Sequence, residues 1–355
     1  MTGAAAKLIA RLGEAKLDAF FVSAPANVRY LTGFTGSNGL VVVARSGLTL
    51  FTDPRYTIQA GEQSSCPVRV ARGPLSRAAA KLAARKRWRR VGFESGRMIF
   101  SDYSTLRDSL GRAVTLSPLG PLVEELRMVK SPDEISRIRR SVLTNSLALD
   151  AALPVVRAGV TERDIAAELE YQQRRHGAEK AAFDTIVAAG PRSALPHAEP
   201  GPQPIIANHL LLIDMGACQD GYSSDMTRVF ALGRAPAKLR TIYRAVLEAQ
   251  QAATAAVRPG VTAAYVDGQA RKVLKAHGLG PAFVHSTGHG LGLEIHEAPR
   301  IGAKDTTVLA AGMVITIEPG AYIEGLGGVR IEDTVLVTPS GHETLTPTSK
   351  ELISL

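Results

Sequence analysis

Five side chains in the second half of this 355-residue chain have the types and order of a metal-binding set: Asp214, Asp225, His289, Glu318 and Glu332. Each lies in a segment that reads as a strand or strand end: LLIDMG, YSSDMTRVF, STGHGLG, VITIEPG and GVRIED. Acidic residues are rare inside apolar strands, because an unpaired buried carboxylate costs several kcal/mol or takes up a proton. Four carboxylates and a histidine converging on such positions need a compensating charge, and a metal cation is the usual one. A carboxylate-rich, histidine-poor set suits divalent ions such as Mn²⁺, Co²⁺ or Zn²⁺. Five ligands are more than one catalytic ion normally takes, so two ions sharing bridging carboxylates is the natural count.

The elements that must deliver these groups are two hairpins. Asp214 and Asp225 flank a turn signal at Asp220-Gly221, and pairing of the arms brings the two carboxylates to one face. Glu318 and Glu332 flank a second hairpin with Glu324-Gly325-Leu326-Gly327-Gly328 at its tip. The blander alternative is strand acids paired with Arg228 and Arg330. It is less economical for both pairs together beside three histidines. Those histidines, His285, His289 and His296, lie in HSTGHGLGLEIHEAP. HSTGH has the outer spacing of a zincin helix, but Ser286 stands where the glutamate belongs and Gly288 breaks the helix. The segment reads instead as a glycine-rich loop.

Composition sets the wider bounds. With 45% hydrophobic and 21% charged residues the chain is an ordinary folded protein, long enough for two domains. No apolar run reaches the ~18 residues that span a bilayer. The N-terminal stretch mixes charges into an amphipathic pattern, without a signal-peptide core. A cytoplasmic protein with no membrane partner is the expectation. Cys66 and Cys218 make no disulfide framework. Cys218, four residues after Asp214, reads as a turn residue rather than a thiolate ligand. The formal net charge is +9, and the sharpest basic run is KLAARKRWRR, Lys81 to Arg90. It reads as a solvated helix end before a strand rather than a nucleic-acid patch, so no nucleic-acid partner is expected.

Residues 1–124 alternate helix and short strand, with strands at LDAFFV, GLVVVAR, LTLFTD and RVGFES and helices near 4–16, 75–87 and 103–112. SPLGPLVEEL reads as a linker. A second unit, 125–355, starts at Ser131-Pro132-Asp133-Glu134, an N-cap followed by proline at the first helical position. Within it Val156–Thr161 is echoed by Val257–Thr262, and His176-Gly177 by His277-Gly278, at one offset of 101 residues. Two related α+β halves with a ligand cluster at their junction are the reading.

Five stretches carry a resemblance to the pita-bread metallopeptidases, the family of methionine aminopeptidase, prolidase, aminopeptidase P and creatinase. They are FDTIVAAGPRSALPH, LLIDMGACQDGYSSDMTRVF, HSTGHGLGLEIHEAP, ITIEPGAY and VRIEDTVLV. NVRYLTGFTGSN and TDPRYTIQA resemble the creatinase-type N-terminal domain, which methionine aminopeptidases lack. The resemblance implies a creatinase-like α/β domain over 1–124 and an α+β pita-bread catalytic domain with an internal pseudo-twofold repeat over 125–355. It implies Asp214 on one ion, His289 and Glu318 on the other, and Asp225 and Glu332 bridging. It carries His197, His285, His296 and Arg330 into substrate-binding and catalytic roles, Arg330 first of all by holding a bridging carboxylate in place, and it implies a homodimer. The expected enzyme is an Xaa-Pro dipeptidase of the prolidase type, using a hydroxide shared by two divalent ions, manganese first among them. Glu318 would move the proton, with a donating or cationic His285 and His296 stabilising the oxyanion. An aminopeptidase P acting on longer peptides is the alternative, and a non-catalytic peptide-binding relative is disfavoured by the intact ligand set. Arg300, beside the rigid Pro299, is a candidate clamp for a dipeptide's carboxylate; a surface role or a pair with Glu297 is the alternative.

Overall fold

The computed structural model describes residues 3–355. The chain divides into two compact units, one reaching to Arg127 and one running from Met128 to Leu355. Among the described residues no helix is long and apolar enough to cross a membrane.

The first unit is a six-stranded sheet in the order Val68–Val70, Gly47–Thr52, Gly39–Ala44, Ala19–Val22, Arg90–Glu94, Thr115–Leu119. The central strand AFFV is buried on both faces. Phe20 and Val22 enter one hydrophobic cluster, Ala19 and Phe21 the other. The expected linker is not one: SPL belongs to the last strand, and LVEEL opens the helix Leu122–Met128. Pro118 is tolerated because that strand is at the sheet edge. Val123 is buried in the unit's core, which draws the helix into the first unit and moves the division from 124 to Arg127. Two short helices, Pro25–Thr32 and Thr57–Gln63, escaped the sequence reading. The basic run closes the helix Leu75–Arg85 and leads into the strand Arg90–Glu94, with Trp88 half-buried against a hydrophobic cluster.

The second unit repeats one plan twice. The helix Pro132–Ala152 opens with a capping box, Ser131 accepting from Glu134 N and Glu134 accepting from Ser131 N. It pairs with the helix Glu162–Arg175, capped by Thr161 and ended at His176. Ala237–Ala255 and Ala263–Ala276 form the second pair, the latter capped by Thr262 and ended at His277. Gly159 and Gly260, at the matching turns, both take positive φ, 93° and 87°. The offset read from the sequence therefore joins structurally equivalent caps. Each helix pair packs on β-structure. The first half contributes a sheet ordered Met226–Leu232, His209–Met215, Ile186–Ala189. The second contributes a sheet ordered Glu297–Ile301, Gly288–Gly290, Val314–Ile317, Asp333–Thr338, Gly341–Thr344. One core cluster, from Leu210 and Val229 to Ile315 and Val335, spans both halves.

Candidate metal centre and active site

The first hairpin holds its turn where expected. Asp220 and Gly221 both have positive φ, 51° and 77°, the signature of a type I′ turn. The long arms pair Asp214 with Thr227, so Asp225 sits just beyond the strand and diagonal to Asp214. In the second half Ile317 pairs with Asp333 on one side and Gly320 with Arg330 on the other. Glu318 and Glu332 therefore fall opposite each other, between two ladders. Of the four acids only Asp214 lies within a strand; the others occupy the residue adjoining one.

The histidine segment is more regular than a loop. His289 lies on the short strand Gly288–Gly290, hydrogen-bonded on both sides, with a bulge after it. A Cβ on Gly288 would fall 1.9 Å from Thr316 O, and one on Gly290 would fall 2.2 Å from Ala298 O. The glycines let neighbouring backbones close around the histidine.

All ten residues singled out in the sequence line one cavity of about 690 Å³. Oxygens of Asp225 and Glu332 and a nitrogen of His289 lie within 4.8 Å of one another. His289 Nε2 is 3.5 Å from both Asp225 Oδ2 and Glu318 Oε1. Its Nδ1 is 3.0 Å from the Gly290 carbonyl, which fixes the proton there and leaves the Nε2 lone pair facing the acids. Burial, foremost, lowers its pKa to about 4, so the ring is neutral. Asp214 Oδ1 and Glu332 Oε1 are buried without a hydrogen-bond partner. Burial first, then Glu332, Asp214 and Glu318, push the Asp225 carboxyl well above its usual range. Burial first, then Glu318 and Asp214, do the same to Glu332. Burial raises Glu318 to about 7. Orphaned oxygens, mutually repelling carboxylates and a neutral imidazole are a donor set that divalent cations fit.

Arg330 lies behind this set. Its Nη2 donates to Asp214 Oδ2 at 2.6 Å, Nε to Thr227 Oγ1 at 3.0 Å, and Nη1 to the Pro196 carbonyl and the Tyr322 hydroxyl. Thr227 in turn donates to Glu332 Oε2 at 2.7 Å. Arg330 is 3% exposed and its donors reach protein acceptors, Asp214 among them, an arrangement that suits holding a carboxylate in place. His285 is held between two neighbours. Its Nδ1 is 2.8 Å from the Ser286 carbonyl and its Nε2 2.9 Å from the Tyr322 hydroxyl. Burial, foremost, lowers its pKa to about 4. The ring is therefore neutral, with both nitrogens engaged by protein groups. Tyr322, which joins Arg330 to His285, was missed; EPGAY marks it only as one more strand residue.

His197 and His296 are exposed at the cavity. The His296 ring meets that of His289 edge-on at 4.4 Å between centroids. Burial, then His197, lowers the His296 pKa. Arg300 is on the strand Glu297–Ile301, paired in register with His289. Glu297 accepts instead from Lys130 at 3.2 Å, and among the described residues no carboxylate pairs with the Arg300 guanidinium.

A donor set suited to divalent cations on a two-fold repeated α+β domain is what a metal-dependent hydrolase requires. The profile of metallopeptidase family M24 matches residues 136–339, and that of the creatinase/prolidase N-terminal domain matches residues 5–129. An Xaa-Pro dipeptidase of Pyrococcus furiosus is 40% identical over 98% of both chains. The solved Xaa-Pro dipeptidase from Bacillus anthracis superposes with a TM-score of 0.96 at 37% identity, covering 99% of each chain. An X-Pro aminopeptidase from Thermotoga maritima superposes with a TM-score of 0.90 at 34% identity, covering 97% of this chain and 100% of that one. The chain belongs to metallopeptidase family M24 and is a metal-dependent peptidase.

Proposed function

We propose that this protein is an Xaa-Pro dipeptidase, a cytoplasmic homodimer using two divalent ions per chain, manganese by preference. Support for the dipeptidase reading comes from the Xaa-Pro dipeptidase names of relatives matching along the whole chain, at up to 40% identity. Cys66 and Cys218, not joined to each other in a disulfide, suit a reducing compartment.

Asp214, Asp225, His289, Glu318 and Glu332 would hold the metal. When bound, divalent ions supply Lewis acidity that polarises the scissile carbonyl and makes water a nucleophile near neutral pH. The rest is done by side chains. Glu318 takes the proton of the attacking water as oxygen adds to the carbonyl carbon, and returns it to the proline nitrogen as the C–N bond breaks. His296, at the open side of the cavity, donates to the developing oxyanion. His285 and Tyr322, hydrogen-bonded together, shape the wall beside it. The Xaa-Pro amide has no N–H, so a site with no acceptor there selects it. Phe183, Ile186 and Pro196 offer the ring an apolar wall, with His197 at its edge. His289→Ala is expected to deplete bound metal in elemental analysis. His296→Ala is expected to keep its metal and lose kcat by about 10²-fold or more. The reverse pattern would exchange the two roles.

The observation that carries the choice of dipeptides is the unpaired Arg300 at the cavity. A dipeptide ends in a carboxylate one residue beyond the scissile bond, within reach of a bidentate guanidinium pair worth ~1.5–3 kcal/mol. A longer peptide has a neutral amide there. Arg300→Ala is expected to cut kcat/KM for Xaa-Pro by roughly ten- to a hundredfold while sparing residual tripeptide cleavage. Equal losses on both substrates would remove the clamp and favour the aminopeptidase reading.

A further inference from the structure

The segment 283–287 carries His285 and leads directly into His289, yet it belongs to no helix or strand. Val284 within it is 67% exposed. Its backbone bonds to neighbouring strands are made at Thr287, whose N–H also donates to the Ile301 carbonyl at 2.8 Å, so residues 283–286 keep their place through what is packed behind them. Here that is a charged pair on the helix Ala263–Ala276. The helix buries Val266, Ala270 and Leu274 in the core, and Asp267 is fully buried alongside them. A carboxylate there must have its oxygens satisfied. Asp267 accepts from Thr287 Oγ1 at 2.9 Å and Thr287 N at 3.3 Å. It also accepts from Arg271 Nε at 2.6 Å and Nη2 at 3.1 Å.

Arg271, one helical turn on, reaches the other end of the segment. Its Nη2 donates to the His285 carbonyl at 2.6 Å and its Nη1 to the Phe283 carbonyl at 3.5 Å. Its guanidinium lies 4.4 Å from the Phe283 ring centroid, and that ring meets His285 edge-on at 5.1 Å. The carbonyl of Thr287 then accepts the backbone N–H of Glu318 at 2.7 Å. Neither Asp267 nor Arg271 lines the cavity, yet between them they hold residues flanking His285 and His289 and bear on the backbone of Glu318.

We infer that Asp267 and Arg271 form a positioning strut that sets the segment between His285 and His289 and thereby tunes metal affinity and turnover. The inference rests on the metal-site reading above. A helix-surface ion pair alone would satisfy Asp267 with Arg271; it would not place Thr287 on the carboxylate and two loop carbonyls on the guanidinium.

The test uses the full chain stripped of metal. Co²⁺ is titrated in and followed by its visible absorption, which reads affinity without activity; kcat and KM are then measured separately. Arg271→Ala is expected to weaken Co²⁺ binding about tenfold, the lower end of the range for groups that orient ligands, and to lower kcat with KM little changed. Arg271→Lys restores the charge opposite Asp267 but not the forked donation to two carbonyls, and is expected to recover only part of both. Asp267→Asn is expected to fall in the same direction. Should Asp267→Asn fail to fold, Arg271→Ala still decides, because that side chain is 36% exposed. Arg271→Ala with wild-type Co²⁺ affinity and kcat, whatever its melting temperature, would overturn the strut. A wild-type chain that takes up no Co²⁺ would overturn the metal site and the strut with it.

Discussion

Asp225→Asn is expected to abolish all but a residue of peptidase activity while leaving the fold intact. The substitution keeps the shape of the side chain and removes its charge from a point 3.5 Å from His289 Nε2 and close to Glu332. A neutral amide is a poor bridge between cations. Metal-assisted stabilisation of the transition state contributes several kcal/mol, and each 1.36 kcal/mol is tenfold in rate, so the loss is about 10²–10³-fold or more. The fold is expected to tolerate the change. Asp225 is buried with its carboxyl already pushed toward the neutral form by burial and then by Glu332, Asp214 and Glu318. Circular dichroism would check the fold, elemental analysis the metal, and initial rates the activity. Full activity with unchanged metal content would contradict the assignment of Asp225 as a ligand.

Removing metal is expected to destabilise the protein more at pH 8 than at pH 6. In the metal-free chain burial, foremost, raises Asp225 and Glu332 well above the ordinary carboxyl range and Glu318 to about 7. The unfolded chain releases the same protons near pH 4. The folded metal-free state therefore holds protons that the unfolded state has lost. The stability these groups contribute is fully present below about pH 4 and is lost as pH rises through their folded values, near 7 for Glu318 and well above the ordinary carboxyl range for the other two. Divalent ions bind the deprotonated ligands and reverse the trend. Melting curves with Mn²⁺ or with a chelator, at the two pH values, read the difference. Comparing loaded with stripped protein cancels titrations elsewhere in the chain. Each kcal/mol corresponds to about 2–4 °C for a domain of this size. A metal-induced increment that is the same at both pH values would contradict the account.

The acids that line the cavity were legible because carboxylates in or beside apolar strands demand an explanation that their own segments supply. Helix ends in the second unit were legible because Ser131, Thr161 and Thr262 are strong caps. What stayed hidden depends on partners distant in sequence. Tyr322 gains meaning only when Arg330 and His285 close on its hydroxyl. His285 looks like a free acid–base group until Ser286 and Tyr322 occupy both nitrogens. Asp267 has no motif around it, because its acceptor role is defined by Thr287, twenty residues on. The false linker at 117–126 shows a local rule overridden: proline and glycine signal a break, but an edge strand has no ladder partner for the missing N–H to disappoint.

The central claim is that this metallopeptidase removes proline from dipeptides, with Arg300 reading the free carboxylate. The most direct measurement is proline release from Ala-Pro beside alanine release from Ala-Pro-Ala, both with Mn²⁺-loaded enzyme and both expressed as kcat/KM. The account predicts a preference for the dipeptide of roughly ten- to a hundredfold, the size of the clamp interaction. A preference for the tripeptide, or cleavage of neither, would contradict it.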